Sequence, residues 1–366
     1  MRRFGKAGWG ALAVVAIAVV AFVVASSGGK SGGGTTGTAT STTPTVTTPR
    51  TQPKKKSKSG KTAPKRHKQG VVRGHGTVPD RPAPGTGPLL AIADQKPTTF
   101  TDPRFRGLHI ARSRLNTPWN SIFTEPARLN QWLAAARADG VEPLVAFEHA
   151  RGDACPGQPC PLPSVANYTR AVSAFHRRYP WVHLLQPWNE ANSSTQPTGT
   201  HPEAAAAYYE ALKRVCPGCV IPAADVQDAT NLQRWLARFR AALRGPTPQL
   251  WGLHNYSDTN RFHSGGTQRM LASVPGEIWL TETGGIVSFK TGDGRTVLPY
   301  DEHRAARAIR YLFTRLAGLS RRITRIYIYQ WKIDFPGNRF DAGLVRLDGK
   351  ARPSLSLVLQ HGALAR

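Results

Sequence analysis

Acidic side chains are scarce. Against 49 Lys and Arg there are only 22 Asp and Glu, a formal net charge of +27 over 366 residues, so any charged partner the chain attracts is itself acidic. Cysteine is scarce too, with four residues in two close pairs: Cys155 with Cys160 in CPGQPC, and Cys216 with Cys219 in CPGC. The even count in a chain that leaves the cytoplasm predicts two local disulfides. A redox CPGC would need a thioredoxin-like setting, and a zinc site would need a second ligand pair of similar form; these are the rival readings. No cluster has metal-ligand spacing, and no glycine-rich loop stands in a phosphate-binding context, so neither a metal nor another cofactor is expected.

One long uncharged apolar run is present, residues 7–25 (AGWGALAVVAIAVVAFVVA). It follows Arg2, Arg3 and Lys6, and its length suits a signal anchor better than a cleaved signal peptide. The basic flank places the N-terminus inside and the bulk of the chain outside, as a single-pass membrane protein, or as a secreted one if the segment is cleaved. Residues 26–87 are rich in Ser, Thr, Gly, Pro and Lys and cannot bury enough apolar surface to offset their chain entropy. They read as a disordered tether. Through residue 87 there are 15 Lys and Arg against one acid, Asp80. Outside the cytoplasm, anionic lipid or wall polymers are fitter partners for this basic tether than nucleic acid, and a plain soluble spacer is the alternative.

Residues 88–366 are long enough for one domain with a large core. Eight short apolar runs recur there: 89–94, 107–115, 141–147, 182–188, 219–226, 250–256, 277–283 and 325–331. Helical stretches lie between most of them. Leu129, Trp132, Leu133 and Ala136 share one face; Ser164 caps a helix burying Val165, Tyr168, Val172 and Phe175; Pro202 and Asp301 open two more. Alternating strands and helices in this number predict a (β/α)8 TIM barrel, with an open doubly wound sheet as the alternative.

In a barrel, the C-terminal ends of the strands carry the site. Glu190 lies just past the fourth run in PWNEAN, and Glu282 ends the seventh in WLTETGG. Strict alternation puts Glu282 on one face with Ile278 and Leu280, Trp279 and Thr281 facing the helices, and Glu190 inward with Trp188. His254 and Tyr256 end the sixth run, with both ring groups expected on Glu282. Arg112 and Arg114 share a face of the second run, and either is placed to hold a carboxylate ionised. Trp331 ends the eighth. Glu148, His149 and Asp153 after the third run, and Asp225 on the fifth, are further candidates for sugar contact. Paired carboxylates across a barrel mouth suit general acid and nucleophilic work at a glycosidic bond.

The order of arginine on strand two, Asn-Glu after strand four, His-x-Tyr on strand six, glutamate on strand seven and tryptophan on strand eight resembles clan A of the retaining glycoside hydrolases. The resemblance covers residues 88–366 and departs where Ala191-Asn192 follow Glu190, since many members have a proline there. It implies Glu190 as acid/base, Glu282 as nucleophile, Asn189 on the sugar 2-hydroxyl, Tyr256 bonded to Glu282, and Trp331 lining the subsite before the cleaved bond. The substrate it implies is a polysaccharide or oligosaccharide with a β-glycosidic or α-L-arabinosidic bond. A non-catalytic wall-anchored carbohydrate-binding protein and a transglycosylase using the same residues are the alternatives.

Overall fold

The structure is a computed structural model that describes residues 87–364. The apolar run 7–25 and the tether up to residue 86 lie outside the described residues. Among the described residues, no helix is long and apolar enough to cross a membrane.

Among the described residues there are eleven strands: β1 (Leu89–Ala93), β2 (Arg112–Pro118), β3 (Glu142–Glu148), β4 (Leu184–Gln186), β5 (Asp225–Gln227), β6 (Leu250–His254), β7 (Glu277–Thr283), β8 (Ser288–Lys290), β9 (Thr296–Leu298), β10 (Ile323–Tyr329) and β11 (Phe340–Asp341). Eight of them form one parallel sheet in the order β4-β3-β2-β1-β10-β7-β6-β5. A parallel bridge between Leu184 and Val220, continued by the Ala191 N–H on the Asp225 carbonyl at 2.7 Å, ties β4 to the segment entering β5. The sheet thereby curls into a nearly closed eight-stranded barrel, as the sequence predicts.

Helices cover its outside for the reason their patterns give. Leu129, Trp132, Leu133 and Ala136 of the helix Pro126–Ala138 are all buried, and in Val165–Arg178 so are Tyr168, Val172 and Phe175. Val165, expected in the core, stands exposed at that helix's first turn. Ser164 and Asp301 cap their helices through the N–H groups of Asn167 (3.2 Å) and Arg304 (2.8 Å). Both predicted disulfides are formed.

The strands sort their residues by face. Ile92, Val145, Leu185, Val226, Trp251, Leu253, Ile278 and Leu280 join the helices in the main hydrophobic core. The alternating partners face the barrel interior, which is polar: Arg114, Gln186, Asp225 and Thr281 bond to one another across it, and the Arg325 guanidinium lies 4.1 Å from the Trp279 ring. Here the expectation for β7 fails, since Trp279 and Thr281 face inward and Ile278 and Leu280 outward. Gly252 is required inside because a Cβ would come within 3.0 Å of Asp225, Gln186 and Thr281.

A small antiparallel sheet, β11-β8-β9, sits at the C-terminal end of the barrel strands and was not anticipated. Its β8–β9 hairpin turns through Thr291-Gly292-Asp293-Gly294, where Gly294 takes a positive φ of 85°.

Candidate active site

Both glutamates reach the barrel mouth, but by backbone irregularities rather than by alternation. On β7 the pairing with β6 steps from Gly252↔Trp279 to His254↔Glu282, three residues against two, and β10 shows the same offset. This β-bulge adds one residue, so Glu282 points inward beside Thr281. On the other side β4 ends at Gln186 and the chain turns. The Asn189 N–H donates to the Phe147 carbonyl at 2.6 Å, and Glu190 adopts φ +46°. A left-handed non-glycine residue costs about 1–2 kcal/mol, and such strain concentrates at functional sites. Asn192, in the Ala191-Asn192 pair where the chain departs from the resemblance, locks the turn onto β5: its side chain accepts from Gln227 N at 2.7 Å and donates to Gln227 O at 3.0 Å.

Around the pair the bonds are dense. Arg114 donates Nη1 to Glu282 Oε2 (2.7 Å), Nη2 to Asn189 Oδ1 (2.6 Å) and Asp225 Oδ2 (2.7 Å), and Nε to Gln186 Oε1 (2.8 Å). Tyr256 donates its hydroxyl to Glu282 Oε1 at 3.1 Å. Contrary to the expectation from sequence, His254 bonds not Glu282 but Glu190 Oε1 through Nδ1 and Asp225 Oδ2 through Nε2, both at 3.1 Å. One carboxylate oxygen from each of Glu190 and Glu282 and a nitrogen of His254 lie within 4.8 Å of one another.

Electrostatics follow from this packing. Burial pulls the His254 imidazole down, but Asp225, Glu282 and the bond to Glu190 outweigh it and hold the ring protonated up to about 10. Burial raises Asp225, yet His254 and Arg114 bring it well below the usual carboxylate range. Glu282 is raised, by burial first and by Glu190 and Asp225, while the charges of His254 and Arg114 hold the rise in check. Burial also raises Glu148, whose Oε2 is 3.5 Å from the Asn189 amide. As an imidazolium, His254 offers both nitrogens as donors, so the Glu190, His254 and Glu282 cluster suits protons better than a metal ion. The other grouping with metal-like spacing, His176 with Cys216 and Cys219, has its thiols spent in a disulfide.

Three expected residues are placed elsewhere. Arg112 sits at the opposite end of β2, with Nε 3.1 Å from Glu142, its partner in register on β3. Trp188 is packed in the helix layer, stacked on Tyr208 at 5.1 Å and bonded to Gln196, because the strand it was assigned to ends two residues earlier. Trp331, likewise two residues past the end of its strand, lies against Phe105 with its indole N–H on Asp102 at 3.0 Å. Tyr329, the last residue of β10, instead lies in the field of Glu282. Asp153 accepts from Ala150 N in a local turn. Gln186, Thr281 and Tyr329 were not singled out from sequence. For Gln186 the signal was available, since a polar residue inside a buried run needs partners.

Residues 163–307 match the family model described as glycosyl hydrolase catalytic core. No curated protein matches the chain. Among solved structures the chain is similar to a family 39 glycoside hydrolase from the gut symbiont Bacteroides cellulosilyticus WH2, with TM-score 0.51 and 16% identity, covering 76% of this chain and 64% of that one. The chain thus spans less than two thirds of that enzyme's length. It is similar also to a monomeric beta-xylosidase from Caulobacter crescentus CB15 (TM-score 0.53, 16% identity, 76% and 69% covered). A third is GH5_18 from Streptomyces cattleya in complex with GlcNAc (TM-score 0.53, 15% identity, 77% and 81% covered). The structures carry the fold, an eight-stranded barrel, and the match of residues 163–307 to the family model supports the class, glycoside hydrolase.

Proposed function

We propose that this glycoside hydrolase cleaves a β-glycosidic, or the equivalent α-L-arabinosidic, bond of an extracellular or cell-wall polysaccharide with retention of configuration. The observation that carries the reading is the carboxylate spacing. Retaining enzymes hold the two groups about 5–5.5 Å apart and inverting ones about 6.5–9.5 Å. One oxygen of Glu190 and one of Glu282 within 4.8 Å of each other are closer than the inverting range, which supports retention.

In this reading Glu282 attacks the anomeric carbon, and the glycosidic C–O bond breaks as Glu190 protonates the leaving oxygen. Glu190 then takes a proton from water, which attacks the same carbon and releases Glu282. Arg114 and Tyr256 favour the ionised nucleophile by donating to its two oxygens. His254 orients Glu190, and Asn189, its carbonyl oxygen fixed by Arg114, presents its amide to the sugar's 2-hydroxyl.

The reading extends to location. An apolar run after a basic start, a polar tether and two disulfides together support a catalytic domain outside the cytoplasm, anchored or secreted. The basic tether then meets anionic lipid or wall polymer.

The test is the release of new reducing ends by the full chain, with and without Glu282→Gln, from β-glucans, xylans, galactans, mannans, arabinans and bacterial wall extracts. Activity on one of them that vanishes in the variant supports the proposal. Binding without release from any of them would replace it with a carbohydrate-binding role, and longer products without net hydrolysis would replace it with transglycosylation.

A further inference from the structure

The loops at the barrel mouth line an open cavity of about 630 Å³ that the catalytic pair does not line. Small-molecule pockets span roughly 300–1,000 Å³. It lies behind the small sheet. Ser288, Lys290 and Asp341 line it, whereas the alternating Phe289 and Phe340 face the other way, where Phe340 meets Tyr256 at 5.3 Å and Tyr329 at 6.1 Å. One thin sheet therefore separates this cavity from the residues around Glu282.

Its wall includes Tyr300, an aromatic side chain 62% exposed. That ring is held in place. Its hydroxyl donates to Glu302 Oε1 at 2.5 Å, and Glu302 is gripped by Arg346 (2.7 and 2.6 Å) and Arg352 (2.9 Å). Arg352 in turn makes two bonds to Asp341, at 2.6 and 2.7 Å. A ring fixed through its hydroxyl but open on its face loses little rotamer freedom when something stacks on it. The face of an aromatic ring is electron-rich, so it attracts the positive C–H groups on the apolar face of a sugar ring.

The rest of the lining suits the same guest. Thr296 and Ser288 add hydroxyls and Lys290 an exposed ammonium, all capable of bonding sugar hydroxyls. Of the two acids in the lining, Asp341 is spent on Arg352 and Asp348 lies 3.7 Å from Lys350, and Glu302 behind Tyr300 is held by two arginines.

We propose that this cavity is a second saccharide-binding site, which stacks a sugar unit of a polysaccharide on Tyr300 and holds the polymer beside the barrel mouth. The inference rests on the reading of the barrel as a polysaccharide hydrolase, and binding tests it separately from turnover. The experiment is affinity electrophoresis of the full chain carrying Glu282→Gln, in gels containing β-glucan, xylan, galactan or mannan, with and without Tyr300→Ala or Tyr300→Phe. The expected result is retardation in one gel that Tyr300→Ala weakens about five-fold and Tyr300→Phe, which keeps the ring but loses its anchor, weakens less. In the chain with Glu282 restored, Tyr300→Ala raises KM for that polymer by a similar factor and leaves kcat on a short aryl glycoside unchanged. Retardation that Tyr300→Ala leaves intact, or no retardation in any gel, would overturn the site. Retardation that depends on Tyr300 in a chain without turnover would keep the site and count against the hydrolase reading alone.

Discussion

Arg114 on β2 reaches across the barrel to Glu282 on β7, with Nη1 2.7 Å from Oε2, and both groups are buried. The same guanidinium holds Gln186, Asn189 and Asp225, so one cation organises side chains from β4, the turn after it, β5 and β7. Site and barrel interior are a single network.

Removing that cation therefore costs stability and activity together. Arg114→Met leaves Asp225 and Glu282 buried without their partner, a change worth about 3–5 kcal/mol. In a domain of this size that is a fall in Tm of roughly 5–9 °C, alongside loss of turnover. Arg112→Met, at the far end of the strand, keeps kcat within about three-fold. Calorimetry and reducing-end assays on the two variants separate the roles.

Tyr256→Phe deletes one donor to Glu282 and little else. Hydrogen bonds to charged groups contribute about 1.5–3 kcal/mol, so kcat falls roughly 10- to 100-fold with KM little changed. Steady-state kinetics on any active substrate measures this.

The buried imidazole makes stability depend on pH in a stated direction. His254 is raised from 6.5 to about 10 in the folded chain, so its contribution is full below pH 6.5, declines above it, and is gone once the pH passes 10. Asp225 is lowered, so its contribution is full above its ordinary 3.8 and is lost as the pH falls below that. Urea midpoints should fall from pH 6.5 towards 10, and His254→Asn should flatten that alkaline slope.

Glu148 places a third carboxylate near Glu190 and Glu282. A like charge disfavours ionisation of Glu282, so Glu148→Gln should move the acidic limb of the kcat/KM profile to lower pH. A pH–rate profile of the variant shows whether it does.

Much of this was legible in the sequence because apolar runs and helix caps are local signals. The eight strands, the caps at Ser164 and Asp301, and the placing of Glu190 and Glu282 at the C-terminal ends of their strands follow from them. The faces were less legible. A bulge between Leu280 and Glu282 leaves no mark in WLTET, and it reverses the alternation that assigned Trp279 and Thr281 outward. Trp188 and Trp331 extend apolar runs whose pairing stops at Gln186 and Tyr329, so counting to the end of the run overshot the strand. Arg112 and Arg114 share a face, and only depth in the barrel separates them. The small sheet had a signal, a glycine-containing turn between VSFK and TVL, but its strands are three residues or shorter.

Covalent trapping tests the central claim most directly. The full chain would be incubated with an activated 2-fluoro glycoside of whichever sugar the polysaccharide screen identifies, then digested and read by mass spectrometry. One glycosyl adduct is expected, carried by Glu282 and absent from Glu282→Gln. Turnover of the same glycoside with inverted product and no adduct on Glu282 would contradict that claim.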